Sequence, residues 1–242
     1  MHIAVAGSTG LVGSHVVSLL EEQGHTVTGI ARETGIDLLT GQGLEGALAG
    51  ADSVVDVTQS PTVDLAAVGF FERVAANLGD AATLAGVTRT VVLSIIGIDD
   101  VPELDYYVAK VAQERAHHAH SPGLHILRAT QFHEFAGMSI TWGLDGDRTT
   151  IPDLLSQPVA VTDIARLLVD LATGVRDEPL LEIAGPKQEH IADLARQVVA
   201  HRGSDVTVLA QEAPASIRNG ALLPGPDAVI AGPTFAEWLA TT

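Results

Sequence analysis

Three glycines at three-residue intervals, Gly7, Gly10 and Gly13, interrupt the opening "MHIAVAGSTGLVGSHVVSLLEEQG" and constrain the fold more than any other feature of the chain. An apolar run from His2 to Ala6 leads into them, and Leu11, Val12, Val16, Leu19 and Leu20 then recur at helical spacing through Gln23 before Gly24. The stretch reads strand, turn, helix. In such a turn the first glycine lets the chain leave the strand sharply, the middle one removes a side chain that would hold a diphosphate off the backbone, and the third lets helix and strand approach. The free amides and the positive dipole end of the helix favour an anion there. The spacing is Gly-x-x-Gly-x-x-Gly rather than Gly-x-Gly-x-x-Gly, so the turn is either a dinucleotide cradle or a plain strand-to-helix loop. Its place at residue 7, between a strand and a helix, favours the cradle, with Gly7, Thr9, Gly10, Leu11 and Gly13 contributing.

The alternation continues. Strands are expected at Val27 to Ala31, Ser53 to Val57, Thr90 to Ser94 and His125 to Ala129, with helices at Leu44 to Ala49, Leu65 to Ala85 and Asp105 to Ala119. Strands alternating with helices imply an α/β fold, a Rossmann-like doubly wound parallel sheet with right-handed crossovers. Its ligand crevice lies beyond the carboxyl ends of the strands, which places Gly7, Arg32, Val57 and Ser94 along one edge. Past residue 130 the pattern loosens into a smaller α/β region. Helices are expected at Thr162 to Thr173 and Ile191 to His201, with strands at Leu181 to Ala184 and in "TVLA", an irregular stretch from Gln211 to Pro226, and a terminal helix in "PTFAEWLA". The reading is a nucleotide-binding domain over 1–130 and a smaller substrate-side region over 131–242, packed as one compact unit.

Composition narrows the partners. A formal net charge of −17 repels a phosphate backbone and argues against general nucleic-acid binding. The chain has no cysteine, which removes thiolate and disulfide chemistry. No apolar run reaches the length of a membrane span, and a cytoplasmic protein with a small-molecule substrate is expected. Oligomeric state is not legible.

The end of the second strand speaks to the cofactor. Where an acidic residue holds the ribose 2′-hydroxyl of NAD, this chain has Ala31, and Arg32 follows. A guanidinium suits a 2′-phosphate, so NADP(H) is favoured and NAD(H) stays possible, because Glu33 is adjacent and an arginine here also stacks on adenine or faces water. Asp37, expected just after a further strand, is either an adenine-edge residue or a turn aspartate. Val57, ending the strand Ser53 to Val57, and Thr58 after it complete the expected cofactor contacts on that edge.

Tyr106 and Lys110 lie four apart on a helix in "DYYVAKVAQE", and Ser94 ends the strand before them. In this order the set, with the glycine turn, resembles the short-chain dehydrogenases/reductases, and specifically their atypical, NmrA-like group. "ILRATQFHEF", "VAVTDIARLL" and "FAEWLA" extend the resemblance over nearly the whole chain. The resemblance implies Ser94, Tyr106 and Lys110 as catalytic residues and Lys110 as a ligand of the cofactor ribose. It also implies a run past the nicotinamide at Arg128, Ala129 and Thr130. An ammonium close to a phenol is expected to lower its pKa, so that Tyr106 exchanges a proton with a substrate carbonyl while Ser94 fixes the oxygen. Tyr107 is three residues before Lys110, and the family spacing alone selects Tyr106.

Other residues stay open. Asn77 either matches an asparagine that relatives use to hold a water or shape a helix, or interrupts its own helix. His133 is either a second proton carrier or a packed histidine; Gln131 and Glu134 border the substrate side. Phe132, Phe135 and Trp142 stack on a flat substrate or fill core. His117, His118 and His120 lack metal-ligand spacing and suit a helix C-terminus, so no metal is expected, and Asp163 reads as a first-turn acid. The function expected is an NAD(P)H-dependent oxidoreductase reducing a small carbonyl or quinone-like substrate. The competing reading is a non-catalytic NmrA-like redox sensor that binds NAD(P). A nucleotide-sugar epimerase or isomerase is less favoured, the carboxy-terminal half being short for a sugar-nucleotide domain.

Overall fold

A computed structural model describes residues 1–215 and 217–242. The chain forms two compact units, Met1–Arg128 with Ile164–Leu181, and Ala129–Asp163 with Glu182–Thr242. The segment 164–181 thus belongs with the first unit, where the sequence reading drew one boundary after residue 130. Among the described residues no helix is long and apolar enough to cross a membrane.

In the first unit, β1 (His2–Ala6), α1 (Leu11–Glu22), β2 (Thr26–Ile30), α2 (Leu44–Leu48), β3 (Ser53–Asp56), α3 (Ala66–Ala85), β4 (Arg89–Ile95), α4 (Asp105–His120) and β5 (Leu124–Ala129) alternate as expected. The further strand expected before Asp37 does not form. A 3₁₀ turn over Arg32–Thr34 stands there, and Asp37 makes only an isolated bridge to Gln42. Parallel pairing sets Ala6 beside both Ile30 and Asp56, so the carboxyl ends of β1, β2 and β3 finish together, while β4, with Val92 beside Asp56, runs on to Ile95. Ala4 and Ala6 of β1, Ile30 of β2 and Val54 of β3 pack with Leu44 and Leu48 of α2 and Leu78 and Ala82 of α3.

Downstream come α5 (Glu134–Trp142), β6 (Leu144–Asp145), β7 (Arg148–Pro152), β8 (Leu155–Ser156), α6 (Val161–Thr173), β9 (Leu180–Ala184), β10 (Glu189–His190), α7 (Ile191–His201), β11 (Thr207–Gln211), β12 (Val229–Ile230) and α8 (Phe235–Leu239). The Ile126 amide binds the Pro179 carbonyl within the first unit and the Thr130 amide binds that of Ile183 within the second, so β9 runs beside β5. The sheet order is β12-β9-β5-β4-β3-β1-β2, a seven-stranded parallel Rossmann-like sheet. In the second unit β7 pairs with β11 in parallel and with β6 as a hairpin. Ile151, Ile191, Leu194, Val198, Phe235 and Leu239 form that unit's core. Within Gln211 to Pro226, read as irregular, residues Ile217–Ala221 form a short helical segment kinked at Gly220, whose φ is +84°.

Two glycines of α3 separate local preference from packing. A Cβ at exposed Gly69 meets nothing within 4 Å, whereas one at Gly79 lies 2.8 Å from the His120 carbonyl carbon at the end of α4. Alanine at position 69 should stabilise by up to about 1 kcal/mol through helix propensity. At position 79 overpacking of ~1–3 kcal/mol outweighs the same gain. Thermal unfolding of Gly69→Ala should therefore move up, and that of Gly79→Ala down.

Candidate active site

The glycine turn closes on itself. Gly7 has φ +83°, and a Cβ on it would stand 2.9 Å from the Val57 carbonyl oxygen. A Cβ on Gly13 would stand 2.0 Å from the Gly7 carbonyl oxygen, so first and third glycines are demanded by the protein's own packing. Gly10 differs. Its φ is −77°, open to any residue, and its nearest contact would be 3.3 Å away. Packing alone accounts weakly for that missing side chain; a diphosphate lying against the backbone accounts for it directly. Gly10 also caps α1 without a side-chain acceptor, and the first turn holds no acidic residue, which leaves the helix end suited to an external anion. The residues thus fit a dinucleotide.

Around this turn, Arg32 is exposed at the end of β2, and Thr9 donates to Glu33 at 3.5 Å, so the neighbouring carboxylate is drawn toward the glycine turn. Leu11 is exposed and the Val57 amide binds the Ala6 carbonyl at 3.0 Å. Asp37 accepts from the Leu39 amide at 2.8 Å, which, with a smaller pull from Arg32, holds its carboxyl below the usual range. That is the geometry of a turn aspartate. Asn77 does not interrupt α3; its amide donates to the carbonyls of Leu38 (2.8 Å) and Leu39 (3.0 Å) and ties the same loop down.

Ser94 lies on β4, one residue short of its end, 2% exposed, and its hydroxyl has no hydrogen-bond partner among the described residues. Lys110 is 4% exposed, and its ammonium donates to the Leu93 carbonyl at 2.8 Å and to Gln113. It also stands 5.0 Å from the Phe71 ring centroid. Tyr106 packs on that same ring, edge to face at 5.9 Å, while Tyr107 is buried. The expectation that the ammonium lowers the phenol's pKa is overturned. Burial alone acts on Tyr106 and pushes it up to about 12, and Lys110 is itself held down to about 8 by burial, against the pull of Asp56 and Glu114.

The sequence reading missed what lies beside Lys110. Asp56, at the end of β3, is fully buried and accepts from the Thr58 amide (2.9 Å), from Gln113 Nε2 (3.2 Å) and from His117 Nε2 (2.9 Å). Burial pushes its carboxyl up, but the His117 hydrogen bond and charge, with the Thr58 amide, outweigh it and bring the value to about 2. His117 is not a solvent-facing helix-end histidine: it is fully buried, and its Nδ1 meets Ser121 Oγ at 2.7 Å. His118 and His120 are exposed at the helix end as read, the latter on Asp80 at 2.9 Å. No group of three or more metal-ligating side chains occurs among the described residues. The available signal was Lys110, Gln113 and His117 recurring on one helix face opposite an aspartate inside an apolar strand. Arg128 takes Glu114 through two hydrogen bonds (2.9 and 2.6 Å) and Asp99 at 2.8 Å, so it serves as an ion-pair hub.

In the second unit, Thr130 donates to the Gln157 carbonyl at 2.6 Å, and Gln131 accepts from Ser156 at 2.6 Å. His133 Nε2 binds the Pro233 carbonyl at 3.1 Å, so that nitrogen carries the proton, and the ring packs on Phe235 and Trp238. Burial lowers its pKa, against the Pro233 carbonyl, Asp163 and Glu189. Phe135 packs against the core of this unit, Trp142 is 62% exposed, and Asp163 stands in the first turn of α6.

A family model described as the NAD dependent epimerase/dehydratase family matches residues 3–95. No curated protein sequence gives a significant match. Among solved structures, the chain is similar to MoeE5 in complex with UDP-glucuronic acid and NAD, at 22% identity over 100% of this chain and 97% of that one, with a TM-score of 0.77. UDP-N-acetylglucosamine 4-epimerase from Bacillus cereus is 20% identical over 100% and 97%, with a TM-score of 0.72. NADPH-dependent quinone oxidoreductase QOR2 from Escherichia coli, complexed with NADPH, is 18% identical over 99% of each chain, also at 0.72. At these identities the likeness is one of fold. The chain is thus similar in sequence over residues 3–95 to the NAD dependent epimerase/dehydratase family, and in fold throughout to these solved structures. Matching 97% of an epimerase chain also removes the argument that the carboxy-terminal half is too short for sugar-nucleotide chemistry.

The buried charges make stability depend on pH at both ends. Asp56 titrates near 2 folded against 3.8 unfolded, so its contribution, about 2 kcal/mol, is present above pH 4 and lost as pH falls toward 2. Lys110 titrates near 8 folded against 10.5 unfolded; the unfolded chain binds more protons between those values, so this group makes stability rise with pH there. Urea unfolding across pH should show the acid-side loss flattened in Asp56→Asn and the alkaline-side rise absent from Lys110→Met.

Proposed function

We propose that this chain is a cytoplasmic NADPH-dependent reductase of the atypical, NmrA-like short-chain type, acting on a small carbonyl or quinone-like substrate. The observation that carries the reading is Gly10, bare where backbone conformation does not require it and packing barely does, at the amino end of α1. Gly7, Thr9, Gly10, Leu11 and Gly13 take the diphosphate, with Val57 and Thr58 beside them; Arg32 takes the 2′-phosphate, Asp37 borders the adenine, and Lys110 and Thr130 serve the nicotinamide half. Exposed Arg32, with alanine rather than a carboxylate before it, supports NADPH over NADH.

When bound, NADPH supplies the hydride. Tyr106 gives its phenolic proton to the carbonyl oxygen as the carbon is reduced, and the uncommitted Ser94 hydroxyl donates a hydrogen bond to that oxygen. A phenol held near 12 stays protonated throughout the physiological range, the form that proton donation to a carbonyl oxygen requires. The second reading, a non-catalytic NAD(P) sensor, draws on Lys110, whose ammonium is engaged by Leu93 and Gln113 while Tyr106 contacts Phe71.

NADPH and NADH titrations by fluorescence, followed by a turnover screen of carbonyls, quinones and UDP-sugars, test the proposal. Gly10→Ala should weaken both coenzymes while the melting temperature holds, and Arg32→Ala should erase an NADPH preference of about tenfold or more. Tyr106→Phe should lower turnover by roughly 10²–10⁴-fold. Tight coenzyme binding with no turnover on any compound would favour the sensor.

A further inference from the structure

A buried ammonium needs a counter-charge, because leaving one unpaired in low dielectric is worth several kcal/mol of destabilisation. The groups around Lys110 come from every element that packs on it. Leu93 of β4 offers a carbonyl and Phe71 of α3 a ring face, neither of them a full charge. Glu114 of α4 is taken at both oxygens by Arg128 of β5, which also holds Asp99. Asp56 of β3 remains, shared with His117 and reached from Lys110 through Gln113.

The Gln113 amide has only one workable sense. Its oxygen accepts from the Lys110 ammonium and its nitrogen donates to the Asp56 carboxylate. Reversed, it would set N–H groups against an ammonium and a carbonyl against a carboxylate, both repulsive. One side chain therefore transmits the position of a carboxylate on β3 to an ammonium on α4. We propose that Asp56 is a positioning residue for Lys110, acting through the Gln113 amide, so that a carboxylate buried at the end of β3 fixes where the ammonium stands and keeps it charged. The inference rests on the reading that Lys110 serves the dinucleotide, and it places part of the site's control one layer beneath the residues that meet the ligand.

Lys110 and Lys187 are the only lysines in the sequence, and Lys187 is exposed, paired with Glu189 at 2.8 Å. Full-length protein labelled with isotopic lysine therefore gives one buried and one reference ammonium signal by NMR. In Asp56→Asn the Lys110 titration midpoint should fall by roughly one pH unit or more, with Lys187 unmoved. In Gln113→Met, which keeps the carboxylate but removes the bridge, the Lys110 Nζ protons should exchange with water about tenfold faster or more. A folded Asp56→Asn protein whose Lys110 midpoint matches wild type overturns the proposal. Should that variant not fold, unchanged Lys110 exchange in Gln113→Met overturns it instead. NADPH affinity is measured separately on Lys110→Met: wild-type affinity there would defeat the functional reading, while the lysine titration still decides the role of Asp56.

Discussion

The approach of the Gly13 α-carbon to the Gly7 carbonyl is the constraint on which the nucleotide-side architecture rests. With 2.0 Å available to a Cβ, no other residue permits α1 to begin so close beneath β1. That closeness brings the helix amides to the sheet edge where β1, β2 and β3 end in register. Gly7 adds a second close approach, to the carbonyl of Val57, and so joins the turn to β3. Strand ends, helix dipole and bare backbone then converge on one point, which is the physical content of an anion site at a doubly wound sheet.

Directly behind that edge, the fold keeps a charge out of water. Asp56 is accommodated because three donors meet it and because His117 and Lys110 bring positive charge within reach through a single helix face. Such an arrangement specifies geometry more than it adds stability, since the desolvation of each ion offsets much of the attraction. Its consequence is that α4, which carries Tyr106 and Lys110, is tied to β3 by directed hydrogen bonds, while the apolar contact of Ala109 with Ala67 and Phe71 ties it to α3. The phenol and the ammonium share Phe71 rather than touching, so their chemistry is set by burial and by the layer beneath.

How much of this was legible in the sequence depended on how local the physics was. The strands and helices through residue 129 follow from apolar periodicity and glycine punctuation, and their bounds differ from the observed ones by a residue or so. The helix α5 was not anticipated: "EFAGMSITW" has weak amphipathic order, and Ala136 and Ile140 hold it through contact with the α7 core. The two-residue strands β8, β10 and β12 are equally unreadable, because they exist only through partners distant in the chain. A strand before Asp37 was expected from alternation, yet the segment closes into turns around its own carboxylate and the Asn77 clamp.

The sequence by itself determined the glycine turn, the crossover order, an alanine rather than a carboxylate just before Arg32, and the order of Ser94, Tyr106 and Lys110. These are properties of spacing along the backbone, and spacing survives folding. Only the tertiary structure decided that Lys110 turns inward to Leu93, that His117 belongs to Asp56 rather than to solvent, and that the Tyr106 phenol is raised rather than lowered. Those outcomes depend on burial and on which charge lies nearest in space, and residues 56 and 117, so far apart in the chain, meet only once the sheet and α4 have packed.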